Sequence, residues 1–364
     1  MVMDATDPLR LPWVAGPIPT LDAPWARWCW RRHLKWAPPF VPFSGCERYQ
    51  PTTPGSRWQS MVMIAVPYGR PDYVGSGLTL SQTSWGLDYH RVVPRLLHGL
   101  LIELVGREAA DRAHLQVDTG PLEERAFALA LGLGRLGGNA AVVVRPYGSC
   151  VFLGLALLDV GVPIRRLVAT GATCHACYRC VEACPTGALM APHRVNAYRC
   201  LSYLTQKKGV LPRVYRRQLG GRIYGCDACT LSCPENQAEG ISAFRPSPSD
   251  QAPDPAQLLQ MHPTTFQKHF GEKSAGWRGR RTLQRNVLIA LGNTGGPDDI
   301  ESIGSQVKDR RPVIRSHALW ALHRLSHRHG VFLPGRLLET IRWCANDDSD
   351  PWVRREARQL LRDG

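Results

Sequence analysis

Apolar residues in the first half of the chain come in short runs separated by turn-forming residues. Ser60-Met-Val-Met-Ile-Ala-Val-Pro67 is an unbroken apolar run of strand length, which predicts a buried strand entering a turn at Pro67-Tyr-Gly69. Over 88–105 the apolar positions fall at helical spacing behind Asp88, predicting an amphipathic helix with Asp88 as its cap. Leu115-Gln-Val-Asp118-Thr-Gly-Pro121 predicts a strand ending in an exposed turn, 122–131 a helix, 139–145 a strand, and 151–158 a second buried strand. Strand and helix therefore alternate over 60–170, giving an α/β domain that is taken to occupy 1–170. Inside it, Gly132-Leu-Gly134-Arg-Leu-Gly137 matches G-x-G-x-x-G. That fingerprint cradles a dinucleotide only between a strand and a following helix. Here the helix comes first and the strand after, which excludes a Rossmann NAD site. The glycines instead let the backbone pass close to something bulky.

The C-terminal pattern repeats. Asp309-Arg-Arg-Pro312-Val-Ile-Arg315-Ser-His-Ala318 recurs as Asp348-Ser-Asp-Pro351-Trp-Val-Arg354-Arg-Glu-Ala357, with corresponding residues 39 apart. That is the short edge of the HEAT/armadillo period, so 276–364 is expected to form HEAT-like helical repeats, which offer a binding surface more often than chemistry. Pro246-Ser-Pro-Ser-Asp-Gln-Ala-Pro-Asp-Pro255 has linker composition, and 246–275 is assigned as linker. Residues 1–60 are harder to place. Trp25, Trp28, Trp30 and Trp36 interleave with Arg27, Arg31, Arg32 and Lys35; such a stretch either stacks on nucleic acid or packs in a core with snorkelling arginines. Cys29 and Cys46 lie there without ligand spacing, as buried free thiols do.

Composition narrows the class. The 364 residues have room for two or three domains, and 44% hydrophobic with 21% charged residues is ordinary for a globular protein. No apolar run approaches the roughly 20 residues of a membrane span. The N-terminus Met1-Val-Met-Asp-Ala-Thr-Asp has no export signal, so a cytoplasmic location is expected. A net charge of +15 suits either a plain basic protein or one with a polyanionic partner. Its arginines gather at Arg213, Arg216, Arg217 and Arg222 and at Arg278, Arg280, Arg281 and Arg285, near Lys207 and Lys208, which favours nucleic acid.

The cysteines carry the chemistry. Cys174-His-Ala-Cys177-Tyr-Arg-Cys180-Val-Glu-Ala-Cys184-Pro185 is the C-x2-C-x2-C-x3-C-P run of bacterial-type ferredoxins, in which three thiolates grip one cluster and the fourth ligates another. Cys226-Asp-Ala-Cys229-Thr-Leu-Ser-Cys233-Pro234 repeats the last three positions, with Ile223 where the first should stand. Cys200 takes the vacant place. The ligand sets are then Cys174, Cys177, Cys180 and Cys233 for one [4Fe–4S] cluster, and Cys184, Cys200, Cys226 and Cys229 for the other, within a ferredoxin-like domain at 171–245. A disulfide framework wants an oxidising compartment and a core-poor chain, and zinc knuckles have no need of two Cys-Pro endings.

An α/β domain bearing Asp118-Thr-Gly-Pro, a Gly132-x-Gly134 to Asn139 segment, two ferredoxin motifs enclosing Cys200-Leu-Ser-Tyr-Leu-Thr205 and Arg222-Ile-Tyr-Gly-Cys226-Asp227, and HEAT-like helices at the end together resemble epoxyqueuosine reductase. The resemblance covers about residue 60 to the end and is most specific at 174–236. It implies a cobalamin-dependent reductase of tRNA queuosine synthesis, in which two [4Fe–4S] clusters pass single electrons to a cobalamin in the α/β domain. Reduced cobalt would open the epoxide at the wobble position. A carboxylic acid would protonate the departing oxygen, because an expelled alkoxide is a poor leaving group. Asp118 matches the family's proton donor; from its own surroundings alone it reads more readily as a turn residue. The corrin would contact Asn139, Ser202, Cys226 and Asp227. Implied partners are the anticodon region of tRNA and an electron donor such as flavodoxin or ferredoxin, with no membrane. Asp88-Tyr-His90-Arg-Val-Val93 lacks the glycine of D-x-H-x-x-G, so no cobalt-binding histidine motif is present, as suits this family.

Two departures stand out. The family's Gly-Trp-Ile-Gly-Lys-Asn-Thr is here Gly134-Arg-Leu-Gly-Gly138-Asn-Ala140, and its Cys-Pro-Trp-Asn is Cys233-Pro-Glu235-Asn. They leave open a corrinoid iron–sulfur reductase of another substrate, akin to reductive dehalogenases, or a non-enzymatic iron–sulfur electron carrier. Cobalamin binding and salt-sensitive tRNA binding separate the three.

Overall fold

In the computed structural model, which describes residues 7–19, 56–69, 77–167, 174, 177–251 and 253–363, the chain divides into two units made of interleaved segments. The first comprises Met1–Asp72, Gly86–Cys200 and Asp227–Arg245; the second comprises Tyr73–Trp85, Leu201–Cys226 and Pro246–Gly364. This differs from the linear division expected at 170 and 245. The cysteine-bearing stretch is shared, with 201–226 built into the second unit. No helix of the described residues is long and apolar enough to cross a membrane.

The first unit contains, in chain order, β1 (Trp13–Pro17), β2 (Ser60–Pro67), α1 (Tyr89–Val105), β3 (His114–Gln116), α2 (Glu124–Leu131), β4 (Arg135–Leu136), β5 (Val142–Val143) and β6 (Val151–Leu158). The sheet order is β1-β2-β6-β3, and every pair is antiparallel. Strand and helix alternate as expected, but the sheet is not the parallel kind that alternation often builds. β2 is buried at all positions, which explains its unbroken apolar run. Successive side chains point to opposite faces. Val62, Ile64 and Val66 therefore join one core with Val93, Leu97, Leu100 and Leu101 of α1. Met61, Met63 and Ala65 join a second core with Phe127, Ala128 and Leu131 of α2. At roughly 1.5–3 kcal/mol per buried large apolar side chain, these two cores fix the sheet between its helices.

α1 begins where the sequence places it. The Asp88 carboxylate accepts a hydrogen bond from the His90 N–H at 3.0 Å and so caps the helix. The strand expected over 139–145 shrinks to Val142–Val143, paired with Arg135–Leu136 in a tight hairpin. β1 comes from the region the sequence left unread. The tryptophan-rich stretch at 25–36, with Cys29 and Cys46, lies outside the described residues.

The second unit is helical. α3 (Arg280–Thr294), α4 (Pro312–His329), α5 (Gly335–Asp347) and α6 (Pro351–Asp363) bury one continuous apolar cluster that includes Val287, Leu288, Leu319, Leu322, Ile341 and Val353. The 39-residue repeat recurs as a repeated contact. Arg315 donates to the Asp309 carbonyl, and Arg354 donates to the Asp348 carbonyl, each just ahead of a helix opened by proline.

Two expectations need correction here. Residues 246–275 are not a linker: Pro248–Gln251, Pro255–Gln260 and Pro263–Phe270 are short helices, and Leu258, Leu259, Met261, Phe266 and Phe270 are buried in the unit's core. Proline there opens helices at their first turn, where its missing N–H costs nothing. Nor are all the clustered arginines a surface footprint. Arg216 and Arg285 are each 1% exposed. Arg216 pairs with Glu356 at 2.9 Å, and Arg285 caps backbone carbonyls.

Candidate functional site

The β4–β5 hairpin sets one wall of the site. Its tip closes through hydrogen bonds from Gly137 N–H to Ala141 and from Ala140 N–H to Gly137. Gly138 sits at the tip, where a Cβ would lie 3.3 Å from Cys180 Sγ and 3.6 Å from Cys174 Cβ. The bulky thing that the glycine segment approaches is thus a group of cysteines. His193 holds the tip from outside, donating its N–H to the Gly138 carbonyl at 2.9 Å and setting Nδ1 2.8 Å from the Gly137 carbonyl.

A cavity of about 70 Å³ lies beneath, lined by Cys174, Cys177, Cys180 and Cys233 together with Gly138, Arg179 and Glu235. These are the four residues that spacing alone assigned to one cluster. Among the described residues no group of His, Cys, Asp and Glu is set to hold a single metal ion; the four sulfurs surround a space instead. Burial, then the negative charge of Cys233 and Cys177, raises the Cys180 pKa. Burial, then Cys174, Glu235 and Cys177, raises that of Cys233. Thiolates that repel one another around a cavity need a cationic group between them, and this donor set fits an iron–sulfur cluster.

Asn236 fixes the Cys233 turn. It is fully buried; its Oδ1 accepts from Ser149 N–H at 2.6 Å, and its Nδ2 donates to the Thr230 carbonyl at 2.7 Å and to Ser149 Oγ at 3.1 Å. Asn139 Nδ2 donates to the same Ser149 Oγ at 2.9 Å. One hydroxyl therefore ties the hairpin tip to the Cys233-Pro-Glu-Asn turn.

The other four cysteines are divided between the units. Cys184 and Cys200 lie on segments joined by reciprocal bonds: Thr186 Oγ1 donates to the Arg199 carbonyl at 2.7 Å, and Arg199 to the Thr186 carbonyl at 2.6 Å. Burial raises the Cys184 pKa, but backbone N–H groups of Leu189, Thr186 and Ala188 outweigh it, leaving the thiol below its usual range. Cys229 belongs to the first unit as well, and its charge is felt by Tyr68. Cys226 ends the segment assigned to the second unit, behind Gly225, whose N–H donates to Thr205 Oγ1 at 2.9 Å.

Asp118 stands apart from these thiols, on the turn after β3. Its backbone is left-handed, with φ +57°, and its side chain is 65% exposed. A non-glycine residue held there costs of order 1–3 kcal/mol and warrants a functional question. The α1 N-terminus meets it: the Tyr89 hydroxyl donates to Asp118 Oδ2 at 2.9 Å, and His90 Nε2 lies 3.7 Å from the same oxygen. His90 Nδ1 is 2.8 Å from Asp88 Oδ1. Burial works against the imidazolium, but Asp118 and Asp88 overcome it and lift the His90 pKa to about 9. His90, with help from Tyr89, holds the Asp118 carboxyl below its ordinary value. Six residues on, at the first position of α2, burial and then the Asp118 charge push Glu124 up to about 7. Its Oε1 accepts from Gln116 Nε2 at 3.0 Å.

Ser202 lies in the second unit on helix Leu201–Gln206, its carbonyl accepting from Thr205 and Gln206 side chains. Asp227 occupies the N-cap position of the short helix Ala228–Leu231 in the first unit, without a capping hydrogen bond from its side chain. Sequence reasoning overlooked Tyr89 and Glu124, met Arg135 only as one departure from the family pattern, and noted His90 only for a motif it does not complete. The available signal was Asp88-Tyr-His90 at the start of an amphipathic helix, where three polar side chains cluster ahead of the buried Val93, Leu97, Leu100 and Leu101.

Residues 173–236 match the family described as a 4Fe-4S double cluster binding domain. The chain is 36% identical over 267 residues to epoxyqueuosine reductase of Listeria monocytogenes, covering 71% of this chain and 69% of that one. It is 37% identical over 248 residues to the Bacillus subtilis enzyme of the same name, covering 67% of this chain and 64% of that relative's length. A crystal structure of epoxyqueuosine reductase with an epoxyqueuosine-modified tRNA-Tyr stem loop superposes with a TM-score of 0.83 at 30% identity, covering 96% of this chain and 94% of that one. The Bacillus subtilis structure, described with its catalytic aspartate loop swung out of the active site, gives 0.81 at 28% identity, again covering 96% and 94%. With a double-cluster domain, that sequence identity and that structural agreement along its length, the chain belongs to the epoxyqueuosine reductase family.

Proposed function

We propose that the protein reduces epoxyqueuosine to queuosine in tRNA, with electrons delivered through two [4Fe–4S] clusters and with cobalamin as second cofactor. The observation that most supports this reading is the four-cysteine cavity in a chain that also presents an exposed, strained aspartate flanked by two proton-bearing side chains. In this reading Cys174, Cys177, Cys180 and Cys233 hold one cluster, and Cys184, Cys200, Cys226 and Cys229 the other. The corrin contacts are Asn139, Ser202, Cys226 and Asp227. Asn139 is already engaged, Nδ2 by Ser149 and Oδ1 by the Ala141 N–H at 3.2 Å, so it serves by shaping the hairpin tip rather than by offering a free amide. Cobalamin, when bound, supplies a low-potential metal centre able to break a strained C–O bond.

Removing an epoxide oxygen as water consumes two electrons and two protons. Asp118 is the group that reaches the leaving oxygen. At neutral pH the pair it forms with His90 holds its proton on the imidazole, because His90 is raised to about 9 while Asp118 is lowered. Asp118 therefore relays to the leaving oxygen a proton drawn from His90 Nε2, which is left as neutral imidazole, with Tyr89 orienting the carboxylate. The helical segment 276–364 is read as HEAT-like repeats that present the tRNA-binding surface, the electron donor is a flavodoxin- or ferredoxin-like carrier, and the setting is cytoplasmic.

The test is anaerobic reconstitution with iron, sulfide and cobalamin, followed by reaction with an epoxyqueuosine-containing stem loop and nucleoside analysis. Queuosine formation, together with stem-loop binding that weakens steeply with salt, is the expected result. Bound cofactors and reductant without any conversion would move the substrate elsewhere.

A further inference from the structure

Arg135 and Glu235 occupy the two positions where the sequence departs from the family pattern in an aromatic residue, and the fold brings them together. Arg135 Nη2 lies 3.1 Å from Glu235 Oε1. Its other terminal nitrogen, Nη1, donates to Cys174 Sγ at 2.8 Å. The side chain is 14% exposed, and its Nε has no hydrogen-bond partner among the described residues. Glu235 lines the same cavity as the four cysteines. Position 138, where the pattern has a lysine, is a glycine whose Cβ would meet Cys180 Sγ at 3.3 Å. The hairpin thus closes directly onto the sulfurs at 138, and a cation reaches Cys174 from three residues earlier.

We infer that Arg135 and Glu235 form a charge lever that sets the reduction potential of the cluster held by Cys174, Cys177, Cys180 and Cys233. This rests on the cluster assignment proposed above. Reduction adds one electron, and hence one unit of negative charge, to the cluster as a whole, part of it carried by the ligand sulfurs. A cation hydrogen-bonded to a ligand sulfur stabilises that charge and raises the potential; hydrogen bonds to the sulfurs and local charge are established determinants of cluster potentials. The partly buried position weakens screening by solvent. Glu235 acts in two ways. It orients the guanidinium, and its negative charge offsets part of the cation's effect on the cavity it lines. Arg179 also lines the cavity, so the lever adjusts an existing positive setting. Arg135 is a positioning and tuning residue, touching a ligand rather than the substrate.

The test is an EPR-monitored redox titration of the reconstituted full-length protein with dithionite, with iron and sulfide quantified, and no tRNA is needed. Arg135→Gln is expected to shift one of the two couples downward by at least tenfold in its reduction equilibrium, which is about 59 mV for one electron, while the other stays in place. Glu235→Gln is expected to move the same couple upward. Arg135→Lys, which keeps the charge but not the fork, falls between Arg135→Gln and wild type. Should Arg135→Gln fail to retain iron, Glu235→Gln decides alone, since it leaves the donor to Cys174 in place. No movement in either variant, or movement in the same direction in both, overturns the inference. A wild-type protein that assembles no cluster at all refutes the cluster assignment instead, so the two failures are distinguishable.

Discussion

Arg285 is a buried cation whose counter-charge is a helix end, and replacing it by methionine measures what that arrangement contributes. The guanidinium donates through Nη1 to the carbonyls of Lys207 and Gly209 at 2.5 and 3.0 Å, and through Nη2 to those of Leu204 and Thr205 at 3.2 and 3.1 Å. Asn286 Oδ1 takes two further bonds, at 2.7 and 3.0 Å. These carbonyls lie at the C-terminal end of helix Leu201–Gln206, where unsatisfied acceptors and the negative end of the helix dipole favour a cation. Burial, then the nearby Arg216 and Arg278, lowers the Arg285 pKa, so the acceptors work against a desolvation cost. In Arg285→Met, Thr205 keeps its bond from Asn286 Nδ2 at 2.7 Å. The buried Leu204 carbonyl and Asn286 Oδ1 lose this donor, as do the carbonyls of Lys207 and the exposed Gly209, which water can reach. At roughly 1–3 kcal/mol for each buried acceptor left unmade, partly offset by the apolar replacement, local stability falls by about 3 kcal/mol. That is about a 150-fold increase in local opening. Hydrogen–deuterium exchange on peptides covering 201–211 of the reconstituted chain reads it directly. Protection unchanged within about threefold, at this same conversion, would refute the reasoning that the carbonyl end of this helix depends on Arg285.

Further outcomes follow from other contacts. Glu356→Gln strips the carboxylate from Arg216 and from Arg213, which reaches both its oxygens at 3.1 Å; with Arg216 buried, thermal unfolding should show a loss of roughly 3–5 kcal/mol. Cys233→Ala removes one of the four thiols around the cavity, and iron analysis should show one cluster lost and one retained. His90 has its pKa raised from 6.5 to about 9, so its stabilising charge is fully present below about 6.5 and is lost as pH rises through about 9. A pH–rate profile should therefore fall on that alkaline limb, and His90→Asn should abolish the limb along with most of the rate. Ser149→Ala cuts the hydroxyl joining Asn139 to Asn236, and should lower iron occupancy without unfolding the sheet, as circular dichroism would show.

Much of this was legible beforehand because it rests on local rules. The ring of Cys174, Cys177, Cys180 and Cys233 follows from ligand spacing, and the Asp88 cap and the burial of β2 from polarity pattern alone. What escaped depends on long-range packing. Residues 246–275 look like a linker by proline content, yet the prolines open helices whose Leu258, Leu259 and Phe266 fill the second unit's core. Arg216 and Arg285 look like a nucleic-acid footprint until Glu356 and a helix end are seen to claim them. The division into interleaved units was unreadable because nothing local marks 201–226 as belonging with the C-terminal helices. Arg135 and Glu235 were visible only as two separate departures; their pairing across 100 residues needed the fold.

The central claim is that Asp118, recharged by His90, serves a reduction fed by the thiol-bound clusters. It is tested most directly by single-turnover nucleoside analysis of an epoxyqueuosine stem loop with wild-type and Asp118→Asn proteins carrying equal iron and equal cobalamin. The account predicts queuosine from the wild type and essentially none from Asp118→Asn, with clusters and stem-loop binding retained in both. Equal conversion by the two proteins would contradict it.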